Sequence, residues 1–189
     1  MASVYFSSDD DAQLVSRSMA GDTRAFETIV LHYQKVLYTV AARMLGNSED
    51  ARDATQEAFV SAYQRLSTFD AHYRFFSWIY RILVNECLNT IRSRRPQVAL
   101  QAVDTLTGGM AAPGTPFEAA AAGERRAQVE KALQELSPEY RAVIVLRHFV
   151  GLSYDEIAAT LDIPSKTVKS RLYTARHQLG SLLLDWRNE

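Results

Sequence analysis

The sequence is poor in cysteine and histidine, with one cysteine, Cys87, and four widely separated histidines. One thiol can form no internal disulfide, which is typical of a protein in a reducing compartment. Neither residue type shows the spacing of a metal site, so we expect no metal. The sequence also lacks a glycine-rich phosphate loop and a nucleophile motif. We therefore expect no cofactor, no catalytic residue and no enzymatic activity.

Long apolar stretches are also missing from the sequence. No run approaches the ~20 consecutive apolar residues that a membrane-spanning helix requires. Residues 1–11 end in three consecutive aspartates and do not show the basic and then apolar pattern of a signal peptide. These observations predict a cytoplasmic protein without membrane insertion. A chain of 189 residues can form one ordinary domain or two small ones.

The net charge of −1 conceals an uneven distribution of charge along the chain. Residues 1–70 contain ten acidic and six basic residues, whereas residues 74–95 contain five arginines and one glutamate. Residues 165–179 contain four basic residues and no acidic one. Because phosphates respond to local positive charge, the two basic segments indicate nucleic-acid binding. The acidic first third should face another partner.

Apolar residues recur at spacings of three and four along most of the chain, and no segment alternates as a strand would. This periodicity predicts an all-α fold. We expect one helix over 22–45, ended by Gly46, and a second over 48–66 with acidic residues in its first turn. A third helix is expected over 75–94, and Pro96 prevents its continuation.

The composition changes over residues 96–123, where proline, glycine and alanine dominate and only two residues are charged. A stretch of this length and composition predicts a flexible linker. The chain is therefore expected to consist of two small helical domains, 22–95 and 124–189, joined by this linker. Residues 1–21 form an N-terminal extension.

The C-terminal half carries the signature of a helix-turn-helix, from about Ser153 to Leu179. Ser153 and Glu156 are spaced as a capping box at the start of a short helix. Residues 162–164 provide a three-residue turn, and Ser165 caps a longer basic helix. A short helix, a tight turn and a long basic helix are typical of proteins that read duplex DNA in the major groove.

The polar and basic residues of the long helix lie away from its apolar stripe. Such side chains hydrogen-bond phosphates and base edges. A solvated basic face is the alternative, but the combination of capping box, turn and acid-free helix favours contact with DNA. The candidate residues are Lys166, Lys169, Ser170, Arg171, Tyr173 and Arg176.

The other basic segment combines arginines with aromatic residues. Rings interleaved with cations suit single-stranded nucleic acid, in which bases stack on rings and phosphates meet arginines. The alternative is an aromatic core on one amphipathic helix, and for Trp78 the two interpretations are balanced. Asn85 lies in an apolar run, where it either makes a buried hydrogen bond or reads a base edge. The candidate residues for a single strand are Phe69, Tyr73, Arg74, Phe76, Arg81 and Asn85.

The expected second helix has an acidic side. Asp53, Gln56 and Glu57 are spaced by three and four residues, which places them on one helical face. Such a face is usually solvated. The functional alternative is a docking surface for a basic partner.

Taken together, these segments resemble the extracytoplasmic-function sigma factors of bacteria, which are small members of the sigma-70 family with only regions 2 and 4. The resemblance extends over most of the chain. It is carried by residues 25–38, 49–59, 76–85, 136–141, 151–158 and 167–172.

The resemblance implies an alternative sigma factor that binds core RNA polymerase, directs it to promoters through −10 and −35 elements, and promotes DNA melting. It implies that Asp53, Gln56 and Glu57 dock on the β′ clamp helices, and it adds the β flap as a second polymerase contact. The linker would thread toward the RNA exit path. An anti-sigma factor is an expected further partner.

The same resemblance assigns DNA contacts to individual residues. Asn85 would capture an unstacked base of the −10 element, with the loop over 69–76 forming part of the pocket. The residues implied to contact the −35 element are Lys169, Ser170, Arg171 and Tyr173. Thr174 departs from the basic residue often found at its position, and Asp162 replaces the usual glycine of the turn. Residues 1–11 have no counterpart in the family.

Two other classes of protein deserve comparison. A repressor or activator that binds a palindromic operator would use the helix-turn-helix, but it requires a dimer interface and leaves the acidic face and the aromatic segment unexplained. A helical adaptor without DNA binding leaves the basic helix unexplained.

Overall fold

The computed structural model describes residues 8–70, 73–94 and 116–187. Every regular element in these ranges is helical, which confirms the all-α fold. The α-helices are α1 (Ser8–Met19), α2 (Thr23–Leu45), α3 (Ser48–Gln64), α4 (Phe75–Arg94), α5 (Pro116–Glu135), α6 (Pro138–Ile144), α7 (Tyr154–Leu161) and α8 (Ser165–Arg187). A 3₁₀ turn spans Leu66–Thr68, and a π-helical turn spans Val145–Val150.

Helices α2, α3 and α4 form the N-terminal bundle, with sharp boundaries at both ends of α2. The Asp22 side chain accepts hydrogen bonds from two backbone amides of the first turn, at 3.1 and 3.3 Å. Gly46 ends α2 in the left-handed conformation, with φ 69°. Asn47 then caps α3 by accepting from the amides of Glu49 and Asp50. Local capping therefore sets the reversal between α2 and α3.

Helix α1 lies within the N-terminal extension, for which the sequence suggested no element. It packs against α2 and α4, and Val15 is buried at that contact. The Asp11 carboxylate is also buried and accepts a hydrogen bond of 2.5 Å from the Tyr33 hydroxyl. Burial raises the pKa of Asp11 above its usual value, although the Tyr33 hydrogen bond opposes this. The first part of the described chain is therefore an integral layer of the bundle.

Helix α5 begins inside the stretch 96–123, all of which we expected to be linker. Proline is well accommodated in the first turn of a helix, and residues 119–122 are alanines, which have the highest helix propensity. The low charge of this stretch suggested a tether, but low charge does not oppose a helix. The rest of the expected linker, residues 96–115, lies outside the described residues.

The two helical domains share one hydrophobic core in the described part of the chain. The carboxyl end of α2 meets α5, α6 and the π-helical turn, while α4 meets α7. Met44 in the first domain and Leu133 in the second are both fully buried. The helix-turn-helix is therefore packed directly against the N-terminal bundle.

Candidate nucleic-acid and polymerase interface

The helix-turn-helix is built by α7, the turn after it and α8. The Ser153 amide donates to Glu156 Oε2 at 2.8 Å, and the Glu156 amide donates to Ser153 Oγ at 3.2 Å, which confirms the capping box. Asp162 ends α7 with φ 55° and ψ 47°, the left-handed conformation that a turn glycine usually adopts. Ser165 donates its hydroxyl to Asp155 at 2.7 Å, so this side chain links the two helices.

One side of α8 fixes the helix, and the other side is open to solvent. Val168, Leu172 and Ala175 are at most 1% exposed and pack into the core. Of the six candidate DNA-contacting residues, five are exposed and Arg171 is partly buried. Tyr173 is 75% exposed. The helix therefore presents a cationic, hydrogen-bonding surface on a rigid support.

Arg176, at the far end of this surface, contacts the π-helical turn. Its Nε donates to His148 Nε2 at 3.3 Å. Burial lowers the pKa of His148, and the charges of Arg176 and Arg147 lower it further. The lowered pKa favours the neutral imidazole, whose unprotonated nitrogen can accept this hydrogen bond.

The aromatic segment before and within α4 divides between core and surface. Phe75 is buried and packs against Phe69 and Trp78, with ring centroids 5.6 and 5.7 Å apart. Phe76, which we predicted to bind a single strand, is only 8% exposed and packs edge-on against Tyr80. The hydrophobic periodicity of α4 therefore explains most of the rings. Tyr73 is 65% exposed and is available for stacking.

The polar residues of α4 form an exposed face beside this aromatic cluster. Arg81 and Asn85 are both exposed and lie four residues apart, which places them on the same side of the helix. The exposure of Asn85 excludes the buried-amide interpretation. Arg74, just before α4, is also exposed, and its guanidinium lies 5.7 Å from the Phe76 ring centroid. These exposed residues are the candidates for contact with a DNA single strand. Together they are defined here as the α4 strand face, and its members are Tyr73, Arg74, Arg81 and Asn85.

The predicted acidic surface lies on α3. Asp53, Gln56 and Glu57 are all exposed, while Ala54 and Ala58 on the opposite side are buried. Asp50, in the first turn of α3, instead forms an ion pair with Arg94 at the end of α4. The three exposed residues are defined here as the α3 acidic face.

The described part of the chain contains no cluster of ligating side chains suited to a metal ion. None of its helices is long and apolar enough to cross a membrane. Cys87 is buried in α4, and burial raises the pKa of its thiol to about 12. The thiol is therefore protonated and unreactive at neutral pH.

Comparison with known proteins decides the family. The family model described as Sigma-70 region 2 matches residues 29–97, and the model described as Sigma-70, region 4 matches residues 126–179. The chain is 37% identical over 172 residues to the ECF RNA polymerase sigma factor SigW of Bacillus subtilis, covering 87% of this chain and 92% of that protein. The chain belongs to the extracytoplasmic-function sigma factors. The resemblance drawn from its motifs is confirmed.

Other relatives of this sigma factor extend over most of its length. It is 35% identical over 182 residues to the RNA polymerase sigma-H factor of Pseudomonas aeruginosa, covering 93% of this chain and 94% of that protein. Its structure is similar to that of CnrH in complex with the cytosolic domain of CnrY, with a TM-score of 0.71 and 30% identity. That match covers 92% of this chain and 97% of the matched chain in that structure. The protein is an alternative sigma factor that directs RNA polymerase to promoters, and its family consists of transcription regulators rather than enzymes.

Proposed function

We propose that this sigma factor contacts promoter DNA at two places, with α8 reading the −35 element and the α4 strand face holding the unstacked −10 strand. The assignment of α8 to the −35 element rests on the exposed basic side of this helix. This side lies on a helix without acidic residues over 165–179, and the other side of the helix is locked into the core. A recognition helix needs this arrangement in order to enter the major groove.

The assignment at the −10 element rests on the exposure of Arg81 and Asn85. Arg81 supplies a cation for a phosphate, and the Asn85 amide can both donate to and accept from the edge of an unstacked base. Tyr73 offers a ring on which a base can stack. Phe69 and Phe76 are assigned no contact with the strand, since their rings pack against Phe75 and Tyr80.

The polymerase contact is assigned to the α3 acidic face. Its two carboxylates and one amide are exposed on a well-packed helix, so they can meet a basic surface without rearrangement of the bundle. The β′ clamp helices are the proposed partner of this face, and the β flap is the proposed partner of the C-terminal domain.

An anti-sigma factor is the proposed inhibitory partner, and the cytoplasm is the proposed compartment. The comparison structure of CnrH holds the cytosolic domain of CnrY, and this chain is similar to CnrH over nearly its whole length. This similarity supports the proposal of a partner of the same kind.

Asn85→Ala tests the −10 assignment. The matched control is Asn89→Ala, because Asn89 is also an exposed asparagine on α4. With core polymerase and a mapped promoter, Asn85→Ala should bind core normally and lose permanganate-reactive thymines at the melted region. The control should keep them. Equal reactivity in both variants would remove Asn85 from the site.

Glu57→Lys tests the polymerase assignment. Glu27→Lys is the matched control, since Glu27 is an exposed glutamate on α2 of the same bundle. Glu57→Lys should weaken co-purification with core polymerase because it reverses one charge of the docking face. Equal recovery of core with both variants would show that the α3 acidic face does not dock on polymerase.

A further inference from the structure

The α4 strand face already has a partner inside the molecule. Arg81 Nη2 lies 2.7 Å from Asp162 Oδ2, and Arg74 Nη1 lies 3.3 Å from Glu156 Oε1. Both acids belong to the helix-turn-helix, one at the turn and the other in the capping box. The two arginines proposed to hold the −10 strand are therefore paired with carboxylates of the other DNA-binding domain.

Capping of α2 by the C-terminal domain holds this arrangement in place. The last carbonyls of a helix have no partner within it. Gln134 Nε2 donates to the Arg43 carbonyl at 2.8 Å, and the buried Arg141 guanidinium donates to the Met44 carbonyl. The positive charge of Arg141 also lies at the negative end of the α2 dipole. The carboxyl end of α2 is thus completed by residues from α5 and α6.

A half-buried ion pair lies beside this cap. Arg43 Nε is 3.1 Å from Glu130 Oε1, and the Arg43 guanidinium lies 4.1 Å from the centre of the Phe149 ring. Burial lowers the pKa of Arg43 and raises that of Glu130, although each partner opposes the shift in the other. Desolvation therefore offsets much of the attraction within this pair. The contact is specific, yet both groups regain hydration when the domains separate.

We propose that Asp162 and Glu156 are intramolecular competitors of the −10 strand, which hold this sigma factor in a closed form until the domains separate. The inference rests on the proposed role of the α4 strand face. In the closed form the carboxylates occupy the arginines that would otherwise meet DNA phosphates. Binding of the single strand and closure are therefore mutually exclusive.

The two ion pairs are weak enough for DNA phosphates to replace the carboxylates. Both arginine side chains are about half exposed or more, at 45% for Arg81 and 63% for Arg74, so water and salt screen the attraction. Such pairs are weak singly. The contacts that cap α2 hold the two domains in place. The two ion pairs then compete with DNA phosphates for Arg74 and Arg81.

Closure leaves the other DNA-binding surface open. Lys169, Ser170 and Tyr173 on α8 are exposed in the same structure in which Arg74 and Arg81 are paired. The closed form can therefore read duplex DNA through α8 while its α4 strand face is occupied. This asymmetry assigns a role to Asp162, the residue that departs from the glycine usual in the family.

The test uses the full chain with the double substitution Asp162→Asn and Glu156→Gln. Asparagine tolerates the left-handed conformation, and glutamine can keep the capping box, so the fold of the turn is preserved. The matched control is Glu124→Gln with Glu139→Gln, which removes two exposed acids from the same domain and leaves the hydrogen bond between Ser165 and Asp155 intact. Each protein is titrated against a short fluorescein-labelled single strand of mixed sequence, with anisotropy as the readout, and Arg81→Ala is titrated in parallel.

The competitor double variant should bind the single strand roughly three- to tenfold more tightly than the control double variant, because two exposed ion pairs no longer compete. The advantage should shrink as salt is raised. If the two double variants bind equally well and Arg81→Ala binds more weakly, the proposed competition is wrong but the assignment of the α4 strand face stands. Unchanged binding by Arg81→Ala would overturn the assignment of the strand face, and the competition with it.

Discussion

Gly46→Ala should destabilise this protein in a way that depends on a residue of the other domain. Gly46 has φ 69°, and a Cβ built there lies 2.7 Å from Cδ of Gln134. The left-handed conformation costs an alanine about 1–2 kcal/mol. Displacing Gln134 also breaks its hydrogen bond to the Arg43 carbonyl, which adds about 0.5–1.5 kcal/mol. The expected total loss in the free energy of unfolding is therefore about 1.5–3.5 kcal/mol.

A double-mutant cycle separates the two contributions. In a Gln134→Ala background there is no amide to displace, so Gly46→Ala should cost about 1 kcal/mol less than it does in the wild type. Gly21→Ala is the control, since Gly21 has φ 96° and no atom within 4 Å of its built Cβ. It should cost the same in both backgrounds. The free energies of unfolding would be measured in urea by circular dichroism.

The cycle reports directly on domain docking. Gly46 and Gln134 belong to different helical domains, so a coupling between them exists only while the C-terminal domain caps α2. If Gly46→Ala costs the same in both backgrounds, within about 0.5 kcal/mol, the domains are not docked at this position in solution.

Three further predictions concern the capping box, the first helix and the recognition helix. Ser153→Ala should lower the free energy of unfolding by about 1 kcal/mol by removing the capping box, while Ser153→Thr should retain most of it; urea titrations check both, and equal losses would contradict the cap. Asp11→Asn should stabilise the protein near pH 7. Because folding raises the pKa of Asp11, its carboxyl group contributes to the free energy of unfolding fully only below about pH 3.8, where it is protonated in both states. This contribution is lost as the pH rises through the pKa of the folded state. The advantage of the asparagine variant should therefore grow between acidic and neutral pH, and a constant difference would contradict it. Arg171→Ala should weaken binding to −35 duplex by about 1–3 kcal/mol in anisotropy titrations if it grips a base edge, and unchanged affinity would remove it from the interface.

The local signals of the sequence predicted the helical elements well. Asp22 and Gly46 bracket α2, and the spacing of Ser153 and Glu156 produces the capping box, because each acts within a few residues of its own position. The exposed sides of α3 and α8 likewise follow from helical periodicity, since the apolar stripe decides which side faces the core.

Long-range packing could not be predicted in the same way. Helix α1 has only a short apolar pattern, and it is held by the burial of Val15 and by the contact of Asp11 with Tyr33, 22 positions away. The contacts of Gln134 and Arg141 with the end of α2 span more than 90 positions. No periodicity marks such pairs. The alanines of α5 were misleading for another reason, since they lack charge yet favour a helix.

The aromatic residues near α4 show where composition misleads about a binding site. Interleaved rings and arginines suggested a stacking platform, but the structure uses Phe75 and Phe76 as core. Exposure decides which of them can meet a base, and exposure depends on where neighbouring helices pack.

The central claim is that this protein directs core RNA polymerase to promoters through two DNA contacts. Transcription by core polymerase with the purified chain, followed by mapping of transcript 5′ ends, tests it most directly. The expected result is a set of starts that require the chain and share two spaced sequence elements, with opening lost in Asn85→Ala and core binding retained. A chain that shifts duplex DNA by itself, but neither co-purifies with core polymerase nor creates specific starts, would contradict the account.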